Sequence, residues 1–348
     1  MSRPLWQDGP AVAPDRQRAH RRLAGLVLLL ASLACLAAAS LMLGNRPLPE
    51  AVLWQALWQP GDDLASTIVW QFRLPRTALA VVVGCALGVA GALMQALNRN
   101  PLADPGLLGI HAGASLAVVL AMSVLGLRAP ATLALFALAG AAAGSLGVQL
   151  LAGRAPPGQR RVRLLLAGTA LSACLASATA MVTLFDVQTF DAYRFWIVGS
   201  LEGRGLDVLG TTGPLVVLGV LLALSQAHAL DALGLGDDMG QALGQRLWRV
   251  RAVGHAAVVL LCGAATAAAG PIGFIGLVVP HLVRLIVGPH WRWIMAYALL
   301  AGPVLVLGAD VLGRLIARPD EIEAGIVSAL LGAPVLLVLV RRTTGGAR

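Results

Sequence analysis

Leu74 to Leu97 reads LPRTALAVVVGCALGVAGALMQAL. Beyond Arg76 it carries no charge, and it exceeds the roughly 20 apolar residues needed to cross a bilayer core. Gly84 and Gly88 stand four apart within it, a spacing that lets a neighbouring helix backbone approach closely. Working outward, similar stretches occur at 23–43, 107–125, 131–152, 163–185, 208–227, 252–269, 272–288, 293–313 and 323–340. Gly140 and Gly144 repeat the small-residue spacing. The pattern predicts an all-α polytopic membrane protein with about ten transmembrane helices.

Composition agrees. Of 348 residues, 58% are hydrophobic and 12% charged, where a soluble domain carries about 25% charged. The net charge of +9 comes from arginine alone, since the chain has no lysine. Those arginines sit in short segments between apolar runs, which points to membrane orientation and away from nucleic acid. Ten crossings put both termini on one side. That side collects 18 of the 26 arginines and the other side 8, so both termini are expected in the cytoplasm. The division is a tail at 1–22, one transmembrane domain at 23–340 and a tail at 341–348.

The arginines before Leu23 resemble a secretory signal. The run to Leu43 is nevertheless long enough to span, and a lipoprotein site at Cys35 asks for leucine where Ser32 stands. An uncleaved first span is expected. Cys35, Cys85, Cys174 and Cys262 all lie in apolar runs without metal-type spacing, and read as small packing residues. Trp54 and Trp58 share one face of 49–59, as in a short helix lying at the interface.

Several chemistries are missing. A phosphate-binding G-x-x-x-x-G-K-[ST] loop needs lysine. There is no H-E-x-x-H, no C-x-x-C and no span with paired carboxylates, so no catalytic, metal or cofactor site is expected. Asp310 and Arg314, four apart, suit an intrahelical ion pair.

Four segments depart from plain apolar helix. Arg73-Leu74-Pro75-Arg76 places two arginines on the arginine-poor side. In 98–106, NRNPLADPG, Asn100 and Pro101 precede Asp104, which can cap the next helix with Pro105 at its first position. The loop 231–251 is broken by glycines into one or two short helical pieces. Asp237 and Asp238 stand near the start of one, while Leu233, Leu235, Met239 and Leu243 offer a partner an apolar face. Finally, Gly270, Pro271 and Gly273, followed by Pro280 and His281, predict an interrupted or kinked helix. Such backbone survives at membrane depth only inside protein or lining a water-filled cavity. His281 reads as hydrogen-bonded structure.

Together these segments resemble the FecCD-type permease family, the membrane subunits of type II ABC importers for iron–siderophores, haem and cobalamin. The ordered matches are RLPR at 73–76, GALMQALNRNPLADPGLLGIHAGAS at 91–115, RFWIVGSLEGR at 194–204, LGLGDDMGQALGQ at 233–245, GPIGFIGLVVPHLVRLIVGP at 270–289 and EIEAGIVSALLGAP at 321–334. The resemblance implies a subunit of the bacterial inner membrane without its own ATPase site. Its implied partners are cytoplasmic ATPase subunits that carry ATP and Mg, a substrate-binding protein, and a second permease subunit, alike or related. It also implies that residues 231–248 couple to the ATPase, and that Arg73, Arg76 and Arg314 dock the binding protein. The pathway is expected near spans two and three and 270–281.

A ferric siderophore is the expected cargo, with haem or cobalamin as alternatives on the same machinery. An ion-coupled secondary carrier is the reading from a different class. The scarcity of ionisable residues within the spans counts against it.

Overall fold

Inside a bilayer each backbone N–H and C=O must find its partner within the protein, so long apolar runs cross as helices. The computed structural model describes residues 15–44, 48–153, 159–234 and 236–345. Its helices are α1 (Asp15–Met42), α2 (Glu50–Trp58), α3 (Leu64–Thr67), α4 (Leu74–Asn98), α5 (Ile110–Leu125), α6 (Pro130–Ala152), α7 (Arg160–Phe185) and α8 (Val187–Ile197). They continue as α9 (Leu206–Ser225), α10 (Ala227–Gly234), α11 (Asp237–Ala242), α12 (Leu247–Ala269), α13 (Ile275–Val287), α14 (Trp291–Ile316) and α15 (Ala324–Gly345). Seven helical stretches are long and apolar enough to cross a membrane. Shorter apolar helices at Ile110–Leu125, Ile275–Val287 and Ala324–Val338 bring the total to the expected ten.

The second span begins earlier than expected. A wide-turn segment, Ile68–Arg73, joins α3 to α4 and makes one helical stretch from Leu64 to Asn98. Pro75 lacks a donor for the preceding turn, and a local change of helical pitch is one way to absorb that loss.

Small residues decide the packing. The centre is formed by α4, α12 and α14, whereas the apolar window of α1 is only 6% buried and that of α7 11%. Gly84 and Gly88 face Gly302, Pro303 and Ala298 of α14, and Gly140 and Gly144 face Gly113 and Gly109 beside α5. Backbone thus meets backbone at both predicted pairs. The short helix α2 forms as expected and leaves Trp54 and Trp58 exposed.

The predicted interruption lies at 270–274. Gly270 and Phe274 adopt positive φ of 76° and 67°, while Pro280 stays within α13. The break is packed at its start and open at Gly273: Gly270 abuts the Trp196 carbonyl, and Ser328 Oγ donates to Gly273 O at 3.4 Å, while Gly273 itself is exposed. All four cysteines are free thiols. Cys85 and Cys262 are packed as expected, but Cys35 and Cys174 are exposed on the outlying helices.

Candidate functional site

Contacts sort the connections into two ends. Arg22 reaches Val287 O, and Asp231 reaches the start of α14. At the other end, Arg76 meets Glu321 and Arg314 meets Leu43 O. Each end carries one group of candidate residues.

At the second end the expected docking arginines turn inward. Asp310 Oδ1 accepts from Arg76 Nε at 3.0 Å and Nη2 at 2.8 Å. Its Oδ2 accepts from Arg314 Nη2 at 2.7 Å, which is the intrahelical pair foreseen from the spacing. Arg76 also pairs with Glu321 at 2.6 Å. Arg314 Nη1 donates to Ser40 O and Leu43 O at 3.0 and 2.8 Å, and Arg73 Nη1 donates to Leu41 O and Met42 O. These carbonyls lie at the C-terminal end of α1, where cations are favoured. Arg73 and Arg314 are buried, and the Arg76 side chain is only 12% exposed. The three arginines that the resemblance assigns to docking are thus bonded within the chain.

What this end does expose is the tip of the loop 199–205, Glu202 and Gly203, with Arg204 half-buried beside them. On one side lies a cleft of about 470 Å³ whose lining includes Arg73, Arg76, Glu202, Arg204, Arg314 and Glu321. On the other is a cleft of about 410 Å³, reached by Trp196, Ser200, Glu202, Arg204 and Glu323. Glu202 and Arg204 belong to both. Sequence reasoning quoted this stretch without giving them a role, since the only signal was two opposite charges in a Gly-rich turn. Burial, reinforced by the Glu321 carboxylate, raises the Glu202 pKa above the ordinary glutamate value. An acid raised in the folded state costs stability once ionised, and the cost vanishes where it is protonated in both states. Glu202→Gln is therefore expected to raise the melting temperature at neutral pH. The gain should disappear as pH falls below the ordinary glutamate range, and thermal unfolding across pH checks it.

At the first end, α10 and α11 are the two short helical pieces expected within 231–251. Leu233 is buried with 1% exposure, so it anchors α10 and is not offered to a partner. This corrects the apolar face, because helical rotation turns Leu233 towards the bundle. Met239 and Leu243 are more than half exposed, as is Trp248 beside them. Asp238 is exposed and Asp237 begins α11. Leu235 lies outside the described residues. Asp231 Oδ1 accepts the Trp291 N–H at 2.8 Å, seating α10 on α14.

Of the remaining motif residues, Asn100 and Gly273 are exposed and the others are buried or half-buried. Asn100 Oδ1 accepts from the Leu102 N–H at 3.0 Å, with Pro101 between them. Asp104 accepts from the Gly106 N–H at 2.7 Å and starts the 3-10 turn Pro105–Leu108. Pro105 lies against Gly276, which meets Gly91. Pro271 lies against Gly199, and His281 is half-buried on α13. His111 Nδ1 lies 3.0 Å from Thr266 Oγ1, a pairing of α5 with α12 that spacing could not reveal. These segments brace the core of the subunit; the outlying helices are α1 and α7. Among the described residues, no group of three or more His, Cys, Asp or Glu could hold a metal.

Comparison with known proteins gives this architecture a context. The chain is 44% identical over 322 residues to the ferric enterobactin transport system permease protein FepD of Escherichia coli, covering 92% of this chain and 95% of that one. It is 40% identical to the hemin transport system permease protein HmuU of Yersinia pestis, over 92% and 96% of the two chains. A solved metal-chelate type ABC transporter, in an inward-facing conformation, superposes with a TM-score of 0.79 at 26% identity, covering 91% of this chain and 98% of that one. The model of the FecCD transport family matches residues 29–342, and the chain belongs to that family.

Proposed function

We propose that this chain is the membrane-spanning subunit of an ATP-driven importer carrying a ferric siderophore across the bacterial cytoplasmic membrane. The observation that carries the reading is the 44% identity to a ferric enterobactin permease over nearly the whole of both chains. The 40% identity to a hemin permease keeps haem as the second reading.

In this reading the arginine-rich end faces the cytoplasm, as 18 of 26 arginines favour. ATP and Mg are held by a separate ATPase subunit. Met239, Leu243 and Trp248 form its apolar seat, and Asp238 supplies polar contacts at the edge. The binding protein docks over the clefts beside 199–205, where Glu202 and Arg204 make the outward contacts. Arg73, Arg76 and Arg314 hold that surface in shape from below. A second permease subunit packs against α7, whose exposed Thr169, Ala173, Ser177 and Ala180 are small or polar, as close helix contact requires. ATP-driven closure then acts through α10 and α11, and transport follows because each conformation binds its partners differently.

The test is co-purification with the ATPase. The double variant Met239→Asp/Leu243→Asp removes an exposed apolar anchor while leaving Leu233 in place. Loss of such an anchor costs about 2 kcal/mol or more, roughly thirtyfold in affinity. The variant is expected to fold, reach the membrane and lose both the ATPase subunit and siderophore uptake. Wild-type co-purification would remove the proposed seat. Uptake that persists with every ATPase absent would favour an ion-coupled carrier.

A further inference from the structure

One cleft belongs to neither surface described above. It has a volume of about 570 Å³ and is lined by Arg22, Asp231, His290, Arg292, Trp293 and Ala296. It opens where α1, α10 and α14 meet, at the end carrying α11.

Its basic groups are arranged, not merely numerous. Arg22 Nη2 donates to Val287 O at 3.2 Å, its guanidinium lies 5.3 Å from the Trp293 ring centre, and its backbone carbonyl accepts from the Tyr297 hydroxyl. The side chain is thereby fixed at the mouth of the cleft. Arg292 and His290 are exposed beside it. Asp231 is the single acid of the lining, and one of its oxygens is already taken by the Trp291 N–H. The cleft therefore presents an excess of positive charge.

Immediately below Arg22 the surface becomes apolar. Leu23, Val27, Leu28 and Leu30 of α1 are each more than half exposed. Cations and tryptophan above an alkyl surface mark the boundary between lipid headgroups and chains. A free anion would use only the upper half of this arrangement. We propose that the cleft binds the phosphate headgroup of an anionic phospholipid whose acyl chains run along α1.

The full chain, purified in detergent, is titrated with phosphatidylglycerol and separately with phosphatidylcholine of the same acyl chains. Retained lipid is counted by native mass spectrometry, and a third arm adds millimolar inorganic phosphate to the phosphatidylglycerol complex. Phosphatidylglycerol is expected to be retained preferentially, and phosphate not to displace it. Each of Arg292→Gln and Arg22→Gln should lower that preference about fivefold, the worth of one arginine near an anionic surface. Arg22→Lys keeps the charge and should keep the preference, which separates lost attraction from lost folding. Arg194→Gln, on exposed α8 at the other end, should change nothing. Equal retention of the two lipids, or an unaltered preference in both glutamine variants, would overturn the proposal. Displacement by phosphate would overturn it too, by making the cleft a free-anion site.

Discussion

Asp310→Ala should leave little folded protein. The wild-type carboxylate is fully buried and accepts three hydrogen bonds from two guanidinium groups. Its removal takes the ion-pair partner from Arg314 and leaves Arg76 paired with Glu321. Breaking a buried ion pair by deleting one partner costs about 3–5 kcal/mol, because the surviving charge stays desolvated. That is a large part of the stability of an ordinary domain. The damage should spread to α1, whose terminal carbonyls depend on Arg314. Fluorescence-detected size exclusion and thermal unfolding in detergent would measure it. A melting temperature within a degree or two of wild type would show that the cluster is worth far less than its geometry suggests. Asp310→Asn keeps an acceptor for one arginine and should fall between the two.

Gly91→Ala is expected to be nearly as severe for a steric reason. A Cβ at position 91 would overlap the carbonyl group of Gly276, where α4 meets the start of α13. Both sides of this contact are backbone, so no rotamer change can relieve it. Overpacking a close-fitted core usually costs about 1–3 kcal/mol, and a clash of backbone on both sides belongs at the top of that range or beyond. Gly213→Ala, in α9, offers the matched control, since nothing lies within 4 Å of the added atom. The expected result is loss of the monodisperse peak for the first variant and a normal peak for the second. Equal behaviour would mean that α13 can slide away from α4 freely.

The spans were legible because their signal is local. An apolar run either reaches bilayer length or does not, and Gly84, Gly88, Gly140 and Gly144 announced close packing by spacing alone. The Asp310–Arg314 pair was legible for the same reason, being one helical turn apart. Arg76 was not, since its carboxylate partner lies 234 residues away. Without it Arg73 and Arg76 looked like surface charges. Leu233 was misread because a short helix shows periodicity but not which way it is rotated against its neighbours. Glu202, Arg204 and the His111–Thr266 contact are products of tertiary folding. The exposed positions of Cys35 and Cys174 are equally silent in sequence, where buried and exposed apolar helices look alike.

The Asp310 cluster has a mechanical consequence. It fastens the first turn of α4 to the end of α14, and through Arg314 to the end of α1. Three long helices are thus tied at this end, and α4 and α14 stay packed backbone to backbone along their length. α4 has 25 residues, which at 1.5 Å rise makes a rod of about 37 Å. When the tied helices tilt together by about 5° about this end, a rod of that length carries its far tip about 3 Å. The far tips lie at the end that carries α10 and α11, so a nudge delivered there works at the long end of a lever, and the end tied by Asp310 needs scarcely to move.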